Sequence, residues 1–336
     1  MKLSLAFCTS ILLLFACQPS DQQVDQELTQ GFPGQWEAIE SSDGSQPVAR
    51  HEAAYLKVNE AFYLLGGRGI KPVNRFDPRS KTWSEGASTP IEMHHMQPVV
   101  WQNKIYVLCA LTGPYPGETP IPNVYIYDPA TNQWSIGPEI PEARRRGAAG
   151  VVVYENKMYI SCGIKDGHRG DHKNWLDVFD PETESWDTLT NAPRARDHFQ
   201  AIAANDKMYL LGGRRSSAPD NVFGNLVPEV DVYDFHTGSW STLKDTIPHS
   251  RAGNYVARLN DAILVLGGET TRQEAAHAEV DALSLMDQSW SAYAPMMFGR
   301  HGTGAIVHEG SIYVASGSGN RGGGPELKTQ ERFTLE

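Results

Sequence analysis

The chain has 336 residues, of which 40% are hydrophobic and 21% are charged, a composition that excludes wholesale disorder. Aspartate and glutamate outnumber lysine and arginine by 40 to 29, and the net charge of -11 argues against nucleic acid or an anionic membrane surface as the main partner, because both need a basic face. The 4 cysteines are too few for a disulfide scaffold.

The first sixteen residues (1–16) are predicted to be an export signal, because one early lysine precedes an apolar run too short to span a bilayer. The run ends in the tetrapeptide LFAC, with its cysteine at Cys17, which resembles the lipobox of bacterial lipoproteins. That resemblance implies cleavage before Cys17, lipidation of its sulfur and anchoring at the outer membrane, on the periplasmic side or at the cell surface. Residues 17–35 are polar and aperiodic, as expected of a flexible tether.

Beyond the tether the chain repeats a unit of roughly 50 residues. Six tryptophans mark the repeat, spaced 47, 51, 52, 54 and 50 residues apart: Trp36, Trp83, Trp134, Trp186, Trp240 and Trp290. Five of them follow a strand end such as IYDPATNQW, and further upstream lies an apolar run that ends in small residues, such as MYLLGG. Each unit is therefore predicted to form four short strands joined by turns.

This pattern resembles the kelch repeat of β-propellers, and the resemblance covers residues 36–336. It implies an all-β, six-bladed kelch β-propeller. The N-terminal QWEAIES has the pattern of a lone outer strand, and the C-terminal unit ends at QERFTLE without an outer strand of its own. We therefore expect the N-terminal strand to pair with the C-terminal blade and close the ring, which also protects the sheet edges.

Each unit opens with a Pro-x-x-Arg segment or a variant of it, called here the entry segment, which leads into the innermost strand at one end of the channel. Its first position is Arg50, Met93, Arg144, Arg196, Arg251 and Arg300. The second is His51, His94, Arg145, Asp197, Ala252 and His301. The third is Glu52, His95, Arg146, His198, Gly253 and Gly302. Side chains alternate along a strand, so His94 and His95 are expected to point to opposite faces.

Long loops between the second and third strands lie on the same face, and structureless loops of that size are often functional. They carry polar and aromatic residues in three blades: Tyr115, Glu118, Asp166, His168, Arg169, Asp171, His172, Trp175, Arg214 and Arg215. The corresponding stretches of the other blades carry Arg68, Lys71, Glu269, Arg272 and Arg321.

Arginine and histidine gathered at one end of an acidic protein point to an anionic ligand, because guanidinium groups match carboxylate, sulfate or phosphate in bidentate geometry. The predicted ligand-binding residues are Arg50, His51, His94, Arg145, Arg196, Arg214, Arg215, Arg251, Arg300, His301 and Arg321. Asp197, His198 and Glu269 are the predicted acid and base groups. Tyr115 or Trp175 is expected to stack on a sugar ring.

Several functions remain open. The first is a propeller that binds a small anionic or polyhydroxylated molecule, preferably a sugar acid, or that docks a protein partner. The second is an enzyme, since exported bacterial kelch propellers include a sialic-acid mutarotase (N-acetylneuraminate epimerase) that this chain resembles in size, blade number and export. Polyanionic-sugar lyases are a related alternative on propellers.

The same resemblance predicts whether the protein needs a cofactor. A mutarotase of this kind needs none, and none is expected here. Copper chemistry like that of galactose oxidase fits poorly, because both cysteines of the propeller lie inside strand runs. A non-redox metal ion is left open on several histidines: His51, His94, His95, His198 and His301.

Overall fold

The structure is a computed structural model and describes residues 31–335. The predicted signal, Cys17 and most of the tether lie outside these residues. The described chain forms six four-stranded antiparallel sheets, whose innermost strands lie side by side in a closed circle. The predicted six-bladed propeller is therefore confirmed. No helix between residues 31 and 335 is long and apolar enough to cross a membrane.

The blades are numbered along the chain, and their strands are given from the channel outwards. Blades one and two consist of β2 (Ala53–Val58), β3 (Ala61–Gly66), β4 (Pro72–Asp77) and β5 (Thr82–Ser88), then β6 (Val99–Trp101), β7 (Lys104–Val107), β10 (Asn123–Asp128) and β11 (Gln133–Glu139). Blades three and four consist of β12 (Gly150–Tyr154), β13 (Lys157–Ser161), β16 (Leu176–Asp180) and β17 (Ser185–Leu189), then β18 (Gln200–Ala204), β19 (Lys207–Leu211), β20 (Asp231–Asp234) and β21 (Ser239–Thr242). Blades five and six consist of β22 (Tyr255–Leu259), β23 (Ala262–Leu266), β24 (Val280–Ser284) and β25 (Trp290–Tyr293), then β26 (Ala305–His308), β27 (Ser311–Ala315), β28 (Gln330–Thr334) and β1 (Gln35–Ala38).

The repeated tryptophan packs on the strand next to it within its own blade. Ring centroids lie 4.7–5.2 Å apart in four of these pairs: Phe76–Trp83, Tyr127–Trp134, Phe179–Trp186 and Tyr233–Trp240. In blade five, Leu283 stands opposite Trp290. An aromatic pair contributes about 0.5–1.5 kcal/mol beyond the area it buries. The repeated tryptophan therefore packs the outer strand of each blade against the third strand of that blade.

Both ends of the described chain meet in blade six. β1 pairs antiparallel with β28, and Trp36 stands opposite Phe333 with the two rings 5.3 Å apart. The indole N–H of Trp36 also donates to the carbonyl oxygen of Ala294, at 2.8 Å. The predicted closure of the ring by the N-terminal strand is confirmed.

The entry segments and the loops that follow the second strands lie at the same end of the channel. Isolated bridges join them in blades four to six: Asp197 to Arg214, Ala252 to Glu269, and His301 to Ser318. We call this end the mouth. Two small hairpins extend from it, one formed by β8 (Leu111–Thr112) and β9 (Thr119–Pro120) and the other by β14 (Ile164–Asp166) and β15 (Gly170–His172).

Candidate functional site

The third position of the entry segment has a left-handed backbone in every blade, with φ between 50° and 65°. These kinked residues are Glu52, His95, Ala148, His198, Gly253 and Gly302; in blade three the kink lies two residues beyond Arg146. A positive φ interrupts the extended conformation, so the side chains on either side of the kink do not alternate as they would along a strand.

The kinked residues also form a ring of hydrogen bonds around the channel. Each amide N–H donates over 2.7–3.1 Å to the carbonyl oxygen of its counterpart in the preceding blade: His95 to Glu52, Ala148 to His95, His198 to Ala148, Gly253 to His198, and Gly302 to Gly253. The N–H of Ala53 closes the ring on Gly302, at 3.0 Å. The cavity lined by this ring measures about 30 Å³, which holds roughly two or three water molecules. A sugar-sized ligand therefore has to bind outside it.

The prediction for blade three is wrong by two residues. The kink places its three entry positions at Arg146, Gly147 and Ala148 instead of Arg144, Arg145 and Arg146. A short 3-10 helix, Glu142–Arg144, takes up the additional residues. Arg145 consequently lies outside the ring of entry positions, where it donates to the carbonyl oxygen of Ile140 at 3.0 Å and pairs with Glu139.

The predicted ligand-binding arginines at the first position of the entry segments make hydrogen bonds inside the blades. All four are fully buried: Arg50, Arg196, Arg251 and Arg300. Each donates to backbone carbonyls of its own blade and to one side chain of the third strand, which is Asn74 for Arg50, Asp231 for Arg196, Asp281 for Arg251 and Glu331 for Arg300. Arg146 makes the equivalent pair with Asp177 in blade three. These contacts leave the four arginines out of the candidate site.

The kink brings neighbouring entry residues into contact. The rings of His94 and His95 lie 4.7 Å apart with their Nδ1 atoms adjacent. In blade four, Nδ1 of His198 hydrogen-bonds the carboxylate of Asp197. The expectation that His94 and His95 point to opposite faces is therefore wrong, because the segment is a turn at this point and not a strand.

Three histidines from three blades converge at the mouth. His95 and His198 are the kinked residues of blades two and four, and His168 lies at the tip of the β14–β15 hairpin of blade three. All three are buried, and their ring centroids are 4.6–4.9 Å apart. One ring nitrogen from each lies within 4.8 Å of the other two. We call His95, His168 and His198 the histidine cluster.

Two buried carboxylates orient the histidine cluster. Glu118 accepts a hydrogen bond from Nδ1 of His168 at 3.1 Å, and Asp197 accepts one from Nδ1 of His198. The Nε2 atoms of His168 and His198 then face each other at a distance of 3.0 Å. The carboxylates thereby determine which nitrogen of each ring is presented to the other.

The two carboxylates are themselves held in place. Ser216 donates its backbone N–H at 3.0 Å and its hydroxyl at 2.7 Å to Asp197, and Arg68 donates to Glu118 at 2.6 Å. Burial alone raises the pKa of both carboxyls. For Asp197 that effect is outweighed by His198, Arg214 and His172, which lower its pKa to about 2. For Glu118 it is outweighed by His168 and Arg68, which hold its pKa well below the usual range. Both groups are therefore hydrogen-bond acceptors at neutral pH.

Burial disfavours the charged form of two of these imidazoles, those of His95 and His198. Burial lowers the pKa of His95 well below its ordinary value, and the adjacent histidines lower it further. Burial also lowers the pKa of His198, reinforced by Arg214 and opposed by Asp197. A neutral imidazole has one lone pair free to bind a proton or a metal ion.

A second buried charge pair lies beside the histidine cluster. Arg214 is 1% exposed and donates to Glu269 and to the hydroxyl of Ser216. Glu269 also accepts from the N–H of Gly322 at 2.7 Å. Burial raises the pKa of Glu269, but His301 and Arg214 outweigh this and lower it to about 2. This environment suits a charge-balancing carboxylate better than the predicted acid or base.

Of the other predicted residues, His301 is fully buried, and its Nε2 donates to the carbonyl oxygens of Asn320 and Gly322. The remainder lie on the rim of the mouth. His51 pairs with Glu326 at 2.7 Å, and the same carboxylate contacts the ammonium of Lys71 at 3.2 Å. Arg215 and Arg321 are exposed. The accessible positive charge of the rim is therefore carried by loop residues and not by the first position of the entry segments.

Of the two aromatic residues predicted to stack on a sugar, only Tyr115 has an open ring face. Tyr115 is 53% exposed, and its ring lies 5.1 Å from that of His168. The ring of Trp175 is covered by cations, with the guanidinium of Arg144 at 3.9 Å and the ammonium of Lys173 at 4.8 Å from its centroid.

Sequence reasoning missed the convergence of His168 and Glu118 with His95 and His198. It recorded all four residues, named His95 and His198 among the histidines open to a metal ion, and included only His198 among the predicted catalytic and ligand-binding residues. The available signal was that His168 and Glu118 stand in the loops of adjacent blades, at positions that the repeat does not determine.

The chain matches a family model described as the KLHDC2/KLHL20/DRC7 Kelch-repeats domain, at residues 23–213 and 99–317. The two matches overlap, as expected when one set of repeats is aligned in two registers, and together they span most of the chain.

Similar proteins include Kelch-like protein terF of Aspergillus terreus, which is 29% identical over 314 residues, or 85% of this chain and 65% of that protein. Human Kelch-like protein 23 is 24% identical over 273 residues, or 80% of this chain and 45% of that protein. The chain thus spans between 45% and 65% of the length of these relatives. The solved structure of YjhT aligns with a TM-score of 0.72 and 16% identity, covering 85% of this chain and 95% of that one, a likeness that shows the fold alone.

Proposed function

This chain belongs to the kelch-repeat β-propeller family, and on that premise we propose that its mouth binds a small anionic or polyhydroxylated ligand, preferably a sugar acid. One observation carries the proposal: buried ionisable side chains converge at this end of the channel, namely Asp197, His198, His168 and Glu118. They are not part of the repeat, so the propeller does not need them in order to close. Clustered buried ionisable groups in a concave region are typical of functional sites.

The rim supports an anionic ligand. Arg215 and Arg321 are exposed there, and the side chain of Arg68 keeps 26% exposure beside Glu118. Guanidinium groups bind carboxylate or sulfate in bidentate geometry. The open face of Tyr115 suits stacking on the apolar face of a pyranose. A sugar acid would then rest against Tyr115 and the rim arginines, above the histidine cluster.

A second candidate function is a cofactor-free sugar epimerase or mutarotase. The hydrogen bond from His198 to Asp197 favours it, because a carboxylate at Nδ1 leaves Nε2 as a proton acceptor. Mutarotation needs one group that removes the proton of the anomeric hydroxyl and one that protonates the ring oxygen. A polyanionic-sugar lyase would use the same base on a carbon-bound proton. With its low pKa, Asp197 would orient the base and not transfer the proton itself.

The binding proposal is tested by thermal unfolding of the full chain with sialic, uronic, sulfated and neutral sugars, with and without a chelator. A ligand at a hundred times its Kd adds about 2.7 kcal/mol to the unfolding free energy, enough to move the Tm measurably. We expect a shift confined to the acidic sugars. Absence of a shift with every sugar would contradict the proposal and favour the propeller as a protein-docking platform.

The enzymatic candidate is tested on any sugar that shifts the Tm, by NMR exchange between its anomers. If His198 is the base, Asp197→Asn should reduce turnover by about 10²–10⁴-fold while sparing affinity. Unchanged turnover in Asp197→Asn would remove this acid/base assignment and leave ligand binding alone.

We further propose, from the sequence alone, that Cys17 is lipidated and anchors the propeller at the outer membrane. Metabolic labelling with a radioactive fatty acid should mark the wild-type chain but not Cys17→Ser, which should move to the soluble fraction. Equal labelling of Cys17→Ser would contradict lipidation at this residue.

A further inference from the structure

We propose that the histidine cluster binds a divalent transition-metal ion of the zinc class. His95, His168 and His198 would each supply one imidazole nitrogen, which leaves a fourth coordination position for water or another ligand. This inference goes beyond the proposed sugar ligand and does not rest on it, because metal binding is measured without any sugar.

Hydrogen bonding determines which ring nitrogens face the metal. Nδ1 of His168 lies 3.1 Å from Glu118, and Nδ1 of His198 contacts Asp197. An ionised carboxylate only accepts hydrogen bonds, so both Nδ1 atoms carry a hydrogen, and Nε2 holds the lone pair that each ring can offer to a metal ion. A carboxylate behind a metal-ligating histidine is the usual arrangement in metalloproteins, where it orients the ring and raises its basicity.

These two lone pairs point towards each other. The Nε2 atoms of His168 and His198 are 3.0 Å apart, a distance at which two hydrogen-bond acceptors repel unless a cation lies beside them. In a tetrahedral zinc site with Zn–N distances of about 2.0–2.1 Å, two ligand nitrogens are about 3.3 Å apart. A shift of only a few tenths of an ångström would therefore convert the observed pair into a metal-binding one.

The third imidazole favours a metal ion over a shared proton. A proton bridges two nitrogens and needs no further partner, whereas His95 brings a third ring nitrogen within 4.8 Å of the other two. To bind the metal ion, this nitrogen would have to leave its present contact, which is Nδ1 of His94 for Nδ1 of His95 and the Glu52 carboxylate, at 3.4 Å, for Nε2. Three imidazoles around one point are the ligand set of an open zinc site. His95 is held by the hydrogen-bonded ring around the channel, so its position does not depend on the hairpin that carries His168.

The charges around the histidine cluster suit a divalent cation. Glu52, Glu118 and Asp197 each contact one of the three histidines, and Arg68 offsets one of the three negative charges. Arg214 is already neutralised by its own carboxylate partner. Asp197 also lies 3.2 Å from His172 and Glu52 lies 3.6 Å from His301, and the carboxylates behind the three histidines favour a cation over an anion at the cluster.

The test is zinc binding by the full chain, produced without a histidine tag, stripped with a chelator and titrated with zinc alone. We expect one equivalent to bind to the wild type, no high-affinity binding to His168→Gln, and an affinity about 10–100-fold lower in Glu118→Gln. The matched control is His277→Gln, because His277 is equally buried but hydrogen-bonds Thr270 and Glu279, away from the cluster. It should bind zinc like the wild type.

Cobalt(II) provides a second readout, since a four-coordinate site gives intense visible absorption bands at wavelengths where the hexaaqua ion absorbs only weakly. The bands should appear in the wild type and in His277→Gln and be missing from His168→Gln. Circular dichroism verifies that each variant is folded; should His168→Gln unfold, His95→Gln and Glu118→Gln supply the comparison. Zinc binding by His168→Gln equal to that of the wild type, or no stoichiometric binding by the wild type, would overturn the proposal.

Discussion

Two sets of buried charges lie close together in this propeller but are built differently. Inside the blades, a fully buried arginine such as Arg251 is surrounded by acceptors, namely Asp281 and backbone carbonyls of its own blade. At the mouth, Asp197, His198 and His168 belong to a chain that crosses from one blade to the next, in which two imidazole nitrogens face each other. The first arrangement recurs in five of the six described blades, whereas the second occurs once.

The difference separates structural from functional charge. A buried arginine that recurs in five of the six described blades belongs to the blade itself, and its terminal NH2 groups meet acceptors of the same sheet. A buried cluster that occurs once and leaves two acceptors in contact does nothing for the closure of the ring. Such a cluster is expected to gain stability only when a proton, metal ion or ligand completes it.

The largest expected effect on stability comes from breaking an arginine pair. Arg251→Met removes the partner of buried Asp281 and should lower the unfolding free energy by about 3–5 kcal/mol, because the remaining carboxylate is left uncompensated. Urea unfolding followed by circular dichroism measures the change. Arg79→Met, at an exposed residue of the turn between β4 and β5, is the control and should stay within about 0.5 kcal/mol of the wild type.

A double variant sharpens this result. Arg251→Met combined with Asp281→Leu removes both charges and should recover much of the lost stability, since a buried ion pair is often replaceable by apolar residues. If Arg251→Met alone were as stable as the wild type, the arginine pairs would not be needed for stability. The proposed contrast between the charges inside the blades and those at the mouth would then fail.

Glu269→Gln should change the pH dependence of stability. The pKa of Glu269 is lowered from 4.5 to about 2, so the stability this group contributes is present above pH 4.5 and is lost as the pH falls towards 2. The unfolding free energy of the wild type should therefore fall more steeply over this interval than that of Glu269→Gln. Urea unfolding at several pH values provides the slopes, and identical slopes would exclude the lowered pKa.

Asp197→Asn should affect function more than stability. The amide keeps one acceptor oxygen but loses the negative charge, and its NH2 group faces a donor that now bonds the carboxylate. His198 is then held less firmly and is less basic, so zinc affinity should fall about 10–100-fold. In the presence of chelator the unfolding free energy should stay within about 1 kcal/mol of the wild type. The exposed Asp187→Asn serves as the control. Unchanged zinc affinity in Asp197→Asn would exclude a role for this carboxylate in orienting His198 as a metal ligand.

The smallest effect on stability is expected from Tyr115→Ala. Tyr115 is half exposed, so its removal should change the unfolding free energy by about 0.5 kcal/mol or less. The same variant should nevertheless abolish most of the Tm shift produced by an acidic sugar. Ile136→Ala, at an equally exposed apolar residue of β11, should leave that shift intact. A full shift in Tyr115→Ala would exclude stacking on this ring.

The fold could be predicted almost completely from the sequence, because it depends on a pattern that recurs six times. The spacing of the tryptophans gives the positions of the outer strands, and the lone strand at Trp36 indicates the closure of the ring. The error in blade three has a local cause. A helical turn at Glu142–Arg144 adds residues that an alignment of Pro-x-x-Arg segments does not detect.

The candidate site was predicted only in part, because its geometry depends on features without a repeat signal. The left-handed kink at His95 and His198 turns neighbouring side chains towards each other, and its sign in the sequence is limited to the glycines at the equivalent positions of blades five and six, Gly253 and Gly302. The β14–β15 hairpin carries His168 across to a neighbouring blade. Where a hairpin tip lies depends on packing between loops that are distant in sequence, so the contact with Glu118 could not be inferred from spacing.

The central claim is that the mouth cluster serves a ligand and the arginine pairs serve the fold. The most direct test is urea unfolding of the wild type, His168→Gln and Arg251→Met, each with chelator and with zinc. We predict that with chelator His168→Gln stays within about 1 kcal/mol of the wild type while Arg251→Met loses several times more, and that zinc stabilises the wild type but not His168→Gln. A loss in His168→Gln as large as that in Arg251→Met, with no effect of zinc on the wild type, would contradict the account.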